Sequence, residues 1–128
     1  MDYPKLFDEI RRRPGIYGLD GGYRGYCTFL LGLDFGNDGT LLTGFREMLV
    51  PRAGSGDNLV WSSLVLHLAF PGRTSGWHAE AVGAGRGAAV DLLFSLLAEF
   101  LERRSAQGGT AAIFDEYLTW RKAQSWAR

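Results

Sequence analysis

The chain has 128 residues, 46% of them hydrophobic and 13% aromatic, with fourteen basic residues balanced by fourteen acidic ones. That length is most simply one domain, residues 1–128, long enough to bury a core. Zero net charge removes the electrostatic argument for a nucleic acid or an anionic membrane as partner, and a single cysteine, Cys27, excludes an intramolecular disulfide and points to a reducing cytoplasm.

The opening "MDYPKLFDEI" is charged and lacks an apolar segment, so no secretory leader is expected. Pro4 suits a first helical turn, where the amide it lacks would be unpaired anyway. Leu6, Phe7 and Ile10 recur at helical spacing, and Arg11, Arg12 and Arg13 then complement the negative end of the helix dipole. Pro14 and Gly15 stop the helix. After "GLDGG", Tyr26, Phe29, Leu30 and Leu33 mark one face of a second helix. Leu42, Phe45, Met48 and Leu49 mark a third, which Pro51 is expected to close.

"RAGSGDN" reads as a polar loop, with Asp57 or Asn58 as N-cap of the next helix. Trp61, Leu64, Val65 and Leu68 trace that fourth helix, ending before Pro71. Its aromatic and β-branched residues leave a buried strand as the alternative. "PGRTSGWHAEAVGAGRG" is the least regular stretch, with Trp77 and Val82 as anchors to the core. From Ala88 to Arg104 the pattern is clearest. Val90, Leu93, Phe94, Leu97, Phe100 and Leu101 line one face and Leu92 and Leu96 widen it, as in a central, deeply packed helix. "SAQGG" ends it, and Ile113, Tyr117 and Trp120 predict a final amphipathic helix. The expected fold is all-α, a compact single-domain bundle of five or six helices joined by Gly/Pro-rich loops. The longest apolar runs fall far short of the roughly 20 residues that span a bilayer.

Chemistry is harder to find. Gly83, Gly85 and Ala88 fit G-x-G-x-x-A ahead of a helix, a pattern that brings backbone amides to a pyrophosphate in dinucleotide folds. Here "GWHAEA" is a poor parallel strand, and too little chain follows for the remaining strand–helix units, so a flexible loop entering a helix is the preferred reading. His67 and His78 with Cys27 lack the paired spacing of a zinc site, and no metal or cofactor is expected. Ser62 and Ser63 precede His67 without a nucleophile elbow, and Asp8–Glu9 and Asp115–Glu116 read as solvated helix surface. Trp61 and Trp77 read as core or loop anchors, Trp120 as buried, and Trp126 as open to either role.

"LFDEIRRRPGIYGLDG", followed by "FLLGLDFG" and "GFREMLV", resembles a group of small bacterial proteins that open with I-R-x-R-P-G-M-Y-L-G and look like immunity proteins of polymorphic-toxin systems. The matching positions are Ile10, Arg11, Arg13, Pro14, Gly15, Tyr17 and Gly18. Ile16 stands where methionine is common, and the leucine before Gly18 is missing. The aromatic-rich "LLFSLLAEFLERR" is a second point of likeness. Type II topoisomerase ATPase domains carry a similar R-K-R-P-G-M-Y-I-G, followed by a helix whose Glu, Asp and Asn serve ATP and magnesium. Here that helix offers only Asp34, and the chain is too short for that fold.

The resemblance implies a non-enzymatic protein that binds a cognate toxin and occludes its active site. Immunity proteins of basic nucleases are commonly acidic, so the neutral chain argues against a nuclease toxin. Alternatives are a small ligand- or nucleotide-binding domain using the Gly83–Gly87 loop, and a homodimeric scaffold protein. Partner contacts collect in loops, and the residues expected to make them are Asp57, Asn58, Arg73, Trp77 and His78. Ile16 and Tyr17 are expected to tuck under the following helix and fix the fold.

Overall fold

The computed structural model describes residues 1–71 and 86–127. Among them are six α-helices: α1 (Tyr3–Arg12), α2 (Tyr23–Gly36), α3 (Phe45–Ala53), α4 (Trp61–Ala69), α5 (Arg86–Ser105) and α6 (Gly109–Ala123), with short 3-10 turns at Pro14–Tyr17 and Ser125–Ala127. No strand occurs among the described residues, and the all-α single-domain bundle read from the sequence is the fold observed. The fourth segment is helix, not strand.

α5 is the hub, packing against α1, α2, α3, α4 and α6. Its residues Leu93, Leu97 and Phe100 are fully buried, and Val90, Phe94, Leu96 and Leu101 nearly so. The broad apolar face read from "AAVDLLFSLLAEFL" is therefore the face around which the other helices assemble. On one side α2 contributes Tyr26 and Leu30, with the Tyr26 and Phe94 rings edge to face at 5.0 Å. On the other, Phe45 of α3 sits 5.3 Å from Phe100 and 5.6 Å from Trp61 of α4. α6 closes the bundle against α3 and α5 through Ile113.

The "RRRPG" segment ends α1 as expected. Asp2 caps the other end, its carboxylate accepting from the Lys5 amide at 3.1 Å. At the C-terminal end the buried Tyr26 hydroxyl lies 3.2 Å from the carbonyl oxygens of both Ile10 and Arg11, supplying a donor that the helix end lacks. Arg12 pairs with Asp8, and Arg11 reaches across to Asp91 with its guanidinium 5.5 Å above the Phe94 ring. Arg11 thus fastens α1 to α5, while the Arg12–Asp8 pair lies within α1. Tyr17 packs edge-on against Phe29 of α2 at 5.7 Å, but Ile16 does not tuck under that helix and is 66% exposed. The 3-10 turn allows only one of two adjacent side chains to face inward.

Other expectations need correcting. Pro51 does not close α3, because it sits in the last turn and the helix continues to Ala53. The stop is Gly54 at φ 73°, whose amide donates to the Val50 and Pro51 carbonyls. Leu42 precedes α3 rather than lying on it. Leu41 and Leu42 are buried in the turn before the helix, where the Leu42 amide donates to Asp34 at 2.8 Å. Neither Asp57 nor Asn58 is the N-cap of α4. That position is Val60, whose hydrocarbon side chain has nothing to cap with, and Asp57 is bonded to Arg46, Tyr117 and Arg121 instead.

Candidate partner-binding site

The loop after α3 is set by two glycines. Gly54 turns the chain in the left-handed region, and Gly56, at φ +84°, runs so close to α4 that a Cβ there would stand 2.9 Å from Leu64 Cδ2 and 3.1 Å from Leu59 Cδ1. The loop is thus pressed onto the core, and Asp57, the next residue, is aimed at α3 and α6.

Its carboxylate gathers three donors. Tyr117 donates from its hydroxyl at 2.5 Å, Arg121 from Nε at 3.1 Å and Arg46 from a terminal nitrogen at 3.3 Å. Arg46 also donates from Nε to the Leu59 carbonyl at 2.8 Å and pairs with Glu47 at 3.1 Å. The Asp57 side chain is only 18% exposed. The Tyr117 hydrogen bond, followed by Arg121 and the field of Arg46, holds its carboxyl below the usual aspartate value, while burial opposes them. The same bond raises the Tyr117 phenol. Two arginines face two carboxylates, so the cluster is locally balanced. Asp57 therefore acts as a latch tying the loop to α3 and α6.

Beside the latch lies a cleft of about 370 Å³ between the 54–58 loop and the end of α6. Asn58, Trp120, Gln124 and Trp126 form much of its lining. Asn58 is exposed at its rim. Trp120 is half-buried, where the sequence predicted burial, and it supports Trp126 edge-on at 6.5 Å. Trp126 is 57% exposed, with the Arg121 guanidinium 5.4 Å from its ring centre. Gln124 donates to the Trp120 carbonyl at 2.9 Å. An exposed indole seated on a second indole, with amide groups and charges at its edge, is the kind of anchor that carries binding energy at protein interfaces.

Of the five residues expected to contact a partner, Asp57 and Asn58 are brought to this cleft, whereas Arg73, Trp77 and His78 lie outside the described residues, as do Gly83 and Gly85 of the glycine-rich loop. Sequence reasoning missed Arg46, Tyr117 and Arg121. The spacing of Tyr117 and Arg121, four apart on one helix, was the one local signal that they share a face.

A larger groove of about 870 Å³ runs between α1 and α5, with Tyr3, Phe7, Phe94 and Leu101 along it and Arg11 and Arg104 on its walls. Both arginines are engaged within the fold, Arg11 with Asp91 and Arg104 with the Leu41 carbonyl and the face of Phe100. Cys27 is buried, and burial pushes its thiol up to about 11, far from nucleophilic chemistry. Among the described residues no three or more His, Cys, Asp or Glu side chains cluster as a metal site would require, and no helix is long and apolar enough to cross a membrane. No protein-family model matches the chain, and no curated protein or solved structure matches it either.

Proposed function

We propose that this chain is a non-enzymatic binding protein of the cytoplasm that neutralises a cognate bacterial toxin domain by stoichiometric occlusion of the toxin's active site. The observation that carries the binding reading is Trp126, more than half exposed on a cleft whose walls are held in place by the Asp57 latch. The toxin as partner is what the resemblance of the Ile10–Gly18 segment implies. Such an interface would bury about 1,200–2,000 Å², with Trp126 and Asn58 near its centre.

The test is co-expression with the toxin domain encoded beside this chain. Rescue of growth and an equimolar complex on size exclusion are expected, both weakened by Trp126→Ala. Failure of the wild-type chain to rescue or to form a complex would overturn the reading.

A further inference from the structure

α2 buries one side and leaves the other uncovered. Tyr23, Tyr26, Cys27 and Leu30 face the core, while Arg24, Thr28, Leu31 and Phe35 form an exposed stripe on the opposite side. Leu31 is 54% exposed and Phe35 86%, one helical turn apart. Large apolar side chains exposed singly are ordinary, but a leucine and a phenylalanine adjoining on one helix face make a patch.

The stripe has charges at its ends. Arg24 stands in the first turn and Asp38 just past the last, and both are exposed. Among the described residues neither side chain makes a salt bridge, although most other arginines here do. Each lies seven positions from Leu31, one before it and one after. Gly32 completes the pattern. It sits inside the helix with nothing within 4 Å of where a Cβ would be, so no internal contact calls for glycine at a place where it costs helix stability.

We propose that this face of α2 is a docking surface for a second copy of the same chain, the two helices packing antiparallel about a two-fold axis at Leu31. A two-fold interface must be self-complementary, each residue meeting the one at the same distance on the other side of the axis. With the axis at Leu31, Arg24 of each copy meets Asp38 of the other at equal distances of seven positions, and Phe35 of each, four positions past the axis, comes beside Thr28 of the other, three positions before it. Leu31 meets Leu31. The charge pairs also place a cation at the negative end of each α2 dipole, and Gly32 lets the backbones approach closely beside the axis. One helix face is a small interface, so dimerisation belongs to the weak class and is sought at high protein concentration. The surface is built from α2 and is separate from the Trp126 cleft on α6, so its test does not depend on the toxin.

Sedimentation equilibrium of the full chain at high micromolar concentration is expected to show a monomer–dimer equilibrium, and Phe35→Glu to raise its dissociation constant at least tenfold, by about the cost of one lost interface anchor. Arg24→Asp and Asp38→Lys are each expected to remain monomeric alone, facing like charge with like, and to form a heterodimer when mixed, because each then offers the other's missing partner. Circular dichroism serves as the folding control, since all three positions are exposed. A wild-type chain that stays monomeric, a dimer indifferent to Phe35→Glu, or no recovery on mixing would each overturn the proposal.

Discussion

The Tyr117 hydroxyl donates a 2.5 Å hydrogen bond to the Asp57 carboxylate, joining a loop and a helix sixty residues apart in the chain. The bond adds a neutral donor to a carboxylate that Arg121 of α6 and Arg46 of α3 already share, so the loop bridges the two helices. A hydrogen bond to a charged group contributes more than a neutral one, so Tyr117→Phe is expected to lower unfolding stability by about 1–2 kcal/mol. Asp57→Ala is expected to cost more, because it leaves Arg46 and Arg121 facing each other without their carboxylate. Urea unfolding of both variants and the double variant measures the coupling. Additive losses would show that the bond contributes nothing of its own.

Acid should find the same latch. Asp57 is held below the ordinary aspartate value by Tyr117 and the two arginines, and Glu99 below the ordinary glutamate value by Arg52. A carboxylate whose folded pKa is lowered contributes stability that is present above its unfolded value, near 4, and that is lost as pH falls through the folded value. Stability is therefore expected to hold from pH 7 to about 5 and to fall below about 4, where the unfolded chain takes up protons first. Asp57→Asn should be less stable at pH 7 and should flatten the acid limb. Melting temperature recorded against pH separates these outcomes, and an unchanged limb in Asp57→Asn would show that Asp57 does not contribute to it.

Why this cluster escaped the sequence, when the helices did not, follows from the range of each signal. Leu93, Leu97 and Phe100 repeat within one helix, so their common face is written locally, and α5 was legible nearly to its ends. The helix stop at Arg13 was equally local. Asp57 also carries a local signal, an acidic residue before an apolar run, and there that signal misleads. Three donors from α3 and α6 outcompete one backbone amide for the carboxylate, and which donors come within reach is decided by tertiary packing. Pro51 misled in a related way, because proline in a last turn forfeits one hydrogen bond without forcing the chain out of the helix. Trp126 was left open by its sequence surroundings, and its place beside Trp120 depends on the turn after α6.

Gly54 and Gly56 offer a contrast within one loop. Both have positive φ, but a Cβ at Gly54 meets open space, whereas at Gly56 it would strike Leu64 and Leu59. Gly54→Ala is expected to cost about 1 kcal/mol, the strain of a left-handed backbone alone. Gly56→Ala should cost clearly more, about 2–3 kcal/mol, since packing strain is added. Equal losses in thermal unfolding would mean that the loop moves off α4 to admit the methyl group.

Tyr26 offers a test of the N-terminal segment. Its hydroxyl, within reach of the carbonyls of Ile10 and Arg11, belongs to a side chain only 2% exposed, so Tyr26→Phe leaves the end of α1 without that donor. The expected loss is about 1–2 kcal/mol, with amide exchange at the end of α1 accelerated more than in α5. A uniform acceleration across both helices would show that the hydroxyl supports the whole core rather than the helix end.

Trp126 should behave in the opposite way. Its ring touches the edge of Trp120 and lies against Arg121, and more than half of it is open to solvent. Truncation removes little buried apolar area, so Trp126→Ala is expected to change unfolding stability by no more than about 0.5 kcal/mol. The same change should weaken capture of the proposed toxin partner at least tenfold if the ring is an interface anchor. Trp120→Ala supplies the comparison, because Trp120 packs against the core and its loss should reduce stability and binding together. A Trp126→Ala chain as destabilised as Trp120→Ala would identify both indoles as structural and remove the cleft from consideration as a binding face.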